Sequence, residues 1–181
     1  MKIYRTAEWQ ARPPRAYARR STPTLIVIHH TATKPGKDLS LEAAAGLARA
    51  IQRHHMDANG WDDSGHNFLV SVQGYVLEGR HGSLEALEAG ESIISAHSGN
   101  AAANASFGIE NEGCYGDCPM PDEQWRSLVE LCTFICLKQG LAPDCIKGHR
   151  DFRATECPGD WLYAKLPELR KAVAINLEKI Q

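Results

Sequence analysis

Two hydrophobic rhythms run along the chain. Thr24-Leu25-Ile26-Val27-Ile28 is a short, β-branched apolar run, which predicts a strand buried on both faces with His29 and His30 at its C-terminal end. After the break at Pro35-Gly36, Leu41, Ala44, Leu47, Ala48 and Ile51 recur at helical spacing. They predict a helix opened by Ser40 and running through His55, ended by Asn59-Gly60. Residues 66–72 and 75–78 read as a β-hairpin turning at Gln73-Gly74. Further strands are expected at 93–97, at 107–112, where Glu110 and Glu112 would share a side, and at 145–148. Asp122 is expected to cap a helix over 124–139 closed by Gly140, and a last helix covers 167–180. Strands paired by a hairpin with helices between them imply an α/β fold with a central mixed β-sheet flanked by helices.

The chain has 181 residues, a length that fits one domain, 1–181, with one core. Residues 1–24, rich in Arg and Pro, read as an extended segment packed on that core and pinned by Trp9 rather than as a regular element. Twenty Lys+Arg against 22 Asp+Glu give a net charge of −2, which argues against a nucleic-acid partner. Arg12, Arg15, Arg19 and Arg20 make the one basic cluster, a solvated arm or a weak contact for an anionic envelope. No apolar run approaches the ~18 residues of a membrane span, and no secretory apolar region follows Met1. The chain is therefore expected to be cytoplasmic as synthesised, and a monomer.

Six cysteines in a chain of this size do not make a disulfide scaffold. Cys132 and Cys136 are four apart in an apolar helical run and read as core thiols. Cys114 and Cys118, in a loop-like stretch, form a local disulfide or nothing, with a second metal site as the lesser alternative. The candidate chemistry lies in G-H-R-D-F-R-A-T-E-C-P-G-D-W, residues 148–161, taken with I-V-I-H-H-T-A-T, residues 26–33. His149 and Cys157 can reach one ion from the two ends of a tight loop, and a catalytic zinc needs a third protein ligand. His29 or His30, at a strand end, can supply it.

Five motifs in one order, T-L-I-V-I-H-H-T-A-T, G-W-D-D-S-G-H-N-F-L-V, S-A-H-S-G-N, N-A-S-F-G-I-E-N-E-G and G-H-R-D-F-R-A-T-E-C-P-G, resemble the type-2 N-acetylmuramoyl-L-alanine amidases. That family includes the peptidoglycan recognition proteins and the amidase-type phage lysozymes, and the likeness covers nearly the whole chain. The resemblance implies Zn2+ held by His29, His149 and Cys157, with His30 turned to the other side of its strand. It implies hydrolysis of the bond between N-acetylmuramic acid and L-alanine in peptidoglycan or muropeptides, with cell-wall lysis ahead of cytoplasmic muropeptide recycling. Binding-only relatives generally lack the cysteine, so Cys157 speaks for an enzyme, whereas a non-catalytic muropeptide-binding module is the alternative. Glu110 matches a glutamate proposed as general base in recycling amidases. His66 stands where many relatives carry a catalytic tyrosine, which leaves the proton acceptor open between it and Glu110. Thr155 occupies the place of an oxyanion-stabilising lysine or threonine, and His97 that of a groove residue contacting substrate.

Overall fold

The computed structural model describes residues 1–180. Its strands are β1 (Ile3–Tyr4), β2 (Arg20–Ser21), β3 (Ile26–His30), β4 (Phe68–Val70), β5 (Val76–Glu78), β6 (Ser92–Ile93), β7 (Phe107–Asn111) and β8 (Ile146–Gly148). Its helices are α1 (Leu41–Asp57), α2 (Ser83–Glu88), α3 (Ala101–Asn104), α4 (Asp122–Gln139), α5 (Asp160–Ala164) and α6 (Leu166–Glu178). Six strands form one sheet in the order β1-β5-β4-β7-β3-β8, while β2 and β6 pair separately. Only β4 and β5 run antiparallel within the large sheet, so it is mixed as expected.

β3 lies between β7 and β8, and Ile26, Val27 and Ile28 have no exposed surface. Alternation then sorts the two faces. Ile26, Ile28, Phe68, Val70, Phe107, Ile109 and Ile146 join α4 and α6 in the main core. On the opposite face Leu69 and Leu77 pack against Trp9 and against Ala44, Ala45 and Ala48 of α1. His29 and Glu110 belong to this second face, side by side in register.

Ser40 caps α1 as the sequence predicts, its side chain accepting from Ala43 N at 3.1 Å. Asp122 does not cap α4: Pro121 occupies the cap position, with φ −56° and ψ 146°, and Asp122 is already helical. There it faces the positive end of the helix dipole together with Glu123. The hairpin is also wider than a two-residue turn. Ser71 N donates to Tyr75 O, Gly74 N returns to Ser71 O, and Gly74 takes φ +84° against Glu123 O of α4. His66 thus precedes the strand rather than opening it.

The expected strand at 93–97 shrinks to β6, because its partner β2 offers only two residues. Cys145 closes a 3-10 turn before β8, and the last helix runs from Leu166 to Glu178. The opening segment contains two short strands instead of being wholly irregular. It is held by Trp9, 1% exposed, whose Nε1 donates to Glu78 O at 2.8 Å. Burying that indole contributes roughly 2–3 kcal/mol. The buried Glu78 carboxylate accepts from Thr6 N and Leu84 N, tying this segment to the start of α2. The basic cluster is largely neutralised: Arg12 and Arg15 pair with Asp57, and Arg20 pairs with Glu85 and Glu91.

Candidate active site

His29 reaches the second face of the sheet from the C-terminal end of β3. Its backbone is fixed there by Asn111 Nδ2, which donates to His29 O at 2.9 Å. His149 begins a 3-10 turn directly after β8, the neighbour of β3. Cys157 comes from the loop before α5, where its N–H donates to Thr155 Oγ1 at 3.2 Å. The three side chains present one donor atom each, all within 4.8 Å of one another, and His29 Nδ1 lies 3.6 Å from Cys157 Sγ.

The set has the chemistry of a cation site. His149 Nε2 lies 3.4 Å from Ser98 O, and a proton donated there leaves Nδ1 as the lone-pair atom. His29 Nε2 contacts His97 Nδ1 at 2.9 Å, and in the tautomer in which His29 donates, its Nδ1 lone pair faces Cys157. Burial, then the nearby Glu110 carboxylate, push the Cys157 thiol up to about 12. Two neutral imidazoles and a thiol that needs a positive neighbour to ionise match the nitrogen and sulfur preference of zinc.

His97, expected as a substrate contact, is partly exposed and stands against the candidate ligand His29. Its ring is admitted by Gly108, where a Cβ would fall 2.3 Å from His97 Cδ2. Asn104, whose motif carried no defined chemistry, accepts from both Ser98 N and Ser98 Oγ and so shapes the loop that holds His97 and Ser98. Arg80 similarly braces the segment before His66 by donating from Nε to Ser64 O at 2.8 Å. Sequence reasoning missed Gly108 and Asn111, although both lie inside quoted motifs. His30 does point the other way, its Nδ1 accepting from Tyr115 N.

The two candidate proton acceptors differ sharply in environment. His66 is 1% exposed, packs against Gly79 and has a buried Nδ1 without a partner. Burial drives its pKa to about 3, so it is neutral at pH 7. Glu110 is partly exposed beside His29, and burial raises its carboxyl to about 8. Thr155 is also partly exposed, with its hydroxyl oxygen engaged by the Cys157 loop.

Burial likewise drives His97 to about 3 and His55 to about 4. Folded-state values below the unfolded value of 6.5 give stability that is complete above pH 6.5 and lost as pH falls toward 3. The metal-free protein is thus expected to lose thermal stability steeply between about pH 6.5 and 4. His66→Gln should flatten that acid limb in a melting series. An unchanged slope would mean that His66 is not held neutral.

Residues 19–160 match the family described as N-acetylmuramoyl-L-alanine amidase. The chain belongs to this family. A pig N-acetylmuramoyl-L-alanine amidase (Sus scrofa) is 35% identical over 146 residues, 78% of this chain and 22% of the relative, so the chain spans about a fifth of that protein. Mouse (Mus musculus) peptidoglycan recognition protein 1 is 31% identical over 87% of this chain and 81% of its own. Among solved structures, wild-type PGRP-LB of Drosophila matches with a TM-score of 0.77 and 26% identity, covering 91% of this chain and 92% of that one. The ectodomain complex of recognition proteins LCa and LCx with tracheal cytotoxin matches with a TM-score of 0.78 and 30% identity, over 93% and 96%. LysC amidase of Clostridium intestinale, at 23% identity, shares the fold, with a TM-score of 0.71 over 98% and 99% of the two chains. The relatives thus include both proteins named as N-acetylmuramoyl-L-alanine amidases and proteins named as peptidoglycan recognition proteins.

Proposed function

We propose that this amidase-family domain hydrolyses the amide bond between N-acetylmuramic acid and L-alanine in peptidoglycan, using Zn2+ held by His29, His149 and Cys157. The observation that carries the reading is the convergence of Cys157 with one histidine at the end of β3 and one just after β8. A module that only recognises muropeptides has no need of a half-buried thiol facing two imidazoles. When bound, zinc supplies Lewis acidity, which polarises a carbonyl and makes water acidic enough to attack near neutral pH.

Around that ion the chain's own groups divide the remaining work. Glu110 accepts the proton of the attacking water, because its carboxyl sits in register with His29 and titrates near the working pH. It then returns that proton to the departing amine of L-alanine. His66 stays neutral and offers a hydrogen bond to the substrate carbonyl, with Thr155 as a second donor. His97 orients His29. His97→Ala should weaken zinc affinity 10–100-fold, as loss of a ligand's hydrogen-bond partner does. A competitive zinc titration with a chromogenic chelator reads this directly, and unchanged affinity would return His97 to a substrate-contact role.

Among the described residues, no helix is long and apolar enough to cross a membrane. We assign the domain to lysis of intact wall, acting as a monomer after release from the cytoplasm, rather than to recycling of soluble fragments. The Arg12–Arg20 cluster no longer supports wall attachment, since Arg12, Arg15 and Arg20 are paired. Mass spectrometry of products from purified peptidoglycan and from soluble muropeptides, with and without a chelator, tests reaction, bond and metal together. Released stem peptides with a free L-alanine amine, lost on chelation, are expected. Muropeptide binding without any such release by the zinc-loaded domain would establish the recognition reading.

A further inference from the structure

The second thiol cluster lies on the face of the sheet opposite His29. Cys136, on the last turns of α4, is 1% exposed, and its Sγ stands 3.9 Å from Sγ of Cys145, nine positions later. The connection between them is closely defined. Gly140 ends α4 at φ +64°, Leu141 N donates to Cys136 O, and Cys145 N donates to Ala142 O in the turn that leads into β8. Both sulfurs are therefore presented by ordered backbone. Bonding distance, about 2.05 Å, lies within reach of side-chain rotation if the Cβ atoms can close to roughly 4 Å.

We propose that Cys136 and Cys145 are a site of oxidative modification, forming a disulfide that ties the end of α4 to the strand preceding His149. The two thiols are suited to opposite halves of the reaction. Cys145 is partly exposed, which admits the oxidant, and the contact between the two sulfurs favours the thiolate on Cys145 and, together with burial, holds Cys136 protonated. With a low-molecular-weight disulfide such as oxidised glutathione as oxidant, the Cys145 thiolate attacks one of its sulfurs. A mixed disulfide forms and one glutathione thiolate leaves. Cys136 then gives up its proton and attacks the Cys145 sulfur, expelling the second glutathione. Two protein thiols become one disulfide, and the oxidant is reduced to two thiols. Cys132 lies one turn earlier on α4, fully buried, and is the competing partner.

The sequence makes the test direct. Trypsin releases Cys132 and Cys136 together on peptide 127–138 and Cys145 on peptide 139–147. Folded protein carrying Cys114→Ser and Cys118→Ser, which removes the exposed thiols, is incubated with oxidised glutathione and mapped without reduction. The expected product is the two peptides joined with loss of two hydrogens, still formed in a Cys132→Ser background and absent in Cys145→Ser. Because the bond closes a short loop, the melting temperature should rise by roughly 5–10 °C and fall back on reduction. The proposal is overturned if Cys145 stops at the glutathione adduct, if the link runs through Cys132, or if linkage appears only after denaturation.

Discussion

Cys157→Ala is expected to cut hydrolysis of peptidoglycan at least ~10³-fold and to lower bound zinc to a trace, while muropeptide affinity stays within about threefold of the parent. The rate loss follows because the ion contributes several kcal/mol of charge stabilisation in the transition state, and each 1.36 kcal/mol is about tenfold. The zinc loss follows from the donor set, since two imidazoles without the thiolate offer neither the charge nor the third corner of the site. Affinity is spared because Cys157 would serve the ion and not the sugar or peptide. Zinc content by elemental analysis, peptide release and calorimetric binding are read on one preparation. Full zinc occupancy with unimpaired hydrolysis in the variant would sink the assignment. Loss of binding in parallel with zinc would instead make the metal part of recognition.

How far the sequence revealed this site depends on how local each signal is. The β3 run, the periodic face of α1 and the long α4 were legible because each spans enough residues for its rhythm to stand out. α2, α3 and α5 were not, because helices of four to six residues carry too few turns to show a period. β1, β2 and β6 exist through their partners: a two-residue strand has no pattern of its own. The candidate ligands were legible for the opposite reason. Histidine and cysteine are scarce residue types with specific chemistry, and the resemblance fixed which of His29 and His30 belongs to the set. The environments could not be read. Nothing in G-H-N-F announces that His66 is buried against Gly79, or that Gly108 exists to admit the ring of His97. The ion pairs of the basic cluster could not be read either, because the acids that neutralise it, Asp57, Glu85 and Glu91, are distant in sequence.

Glu110→Gln should separate catalysis from architecture at the position where burial matters most. Glutamine keeps the size and hydrogen-bonding reach of the side chain but cannot accept the proton, so kcat is expected to fall by about 10²–10⁴-fold with zinc content unchanged. The carboxyl must be ionised to act as base, so the parent's rate rises with pH through the Glu110 pKa. Burial raises that value to about 8 in the metal-free protein, and a neighbouring cation draws it lower. The acidic limb of the rate profile should therefore lie below pH 8 and disappear in the variant. Stability moves in the other direction. A carboxyl raised from 4.5 to about 8 favours the folded state fully below pH 4.5, and that contribution is lost as pH climbs to 8. The metal-free variant should thus gain on the order of 2–4 kcal/mol over the metal-free parent at pH 8 and little at pH 4.5, read by urea unfolding. A simple strand-edge carboxylate would produce neither signature. If kcat survives while the stability gain appears, Glu110 is desolvated but idle, and the proton acceptor must be sought elsewhere in the site, with His66 requiring a far less desolvated environment than the one it occupies.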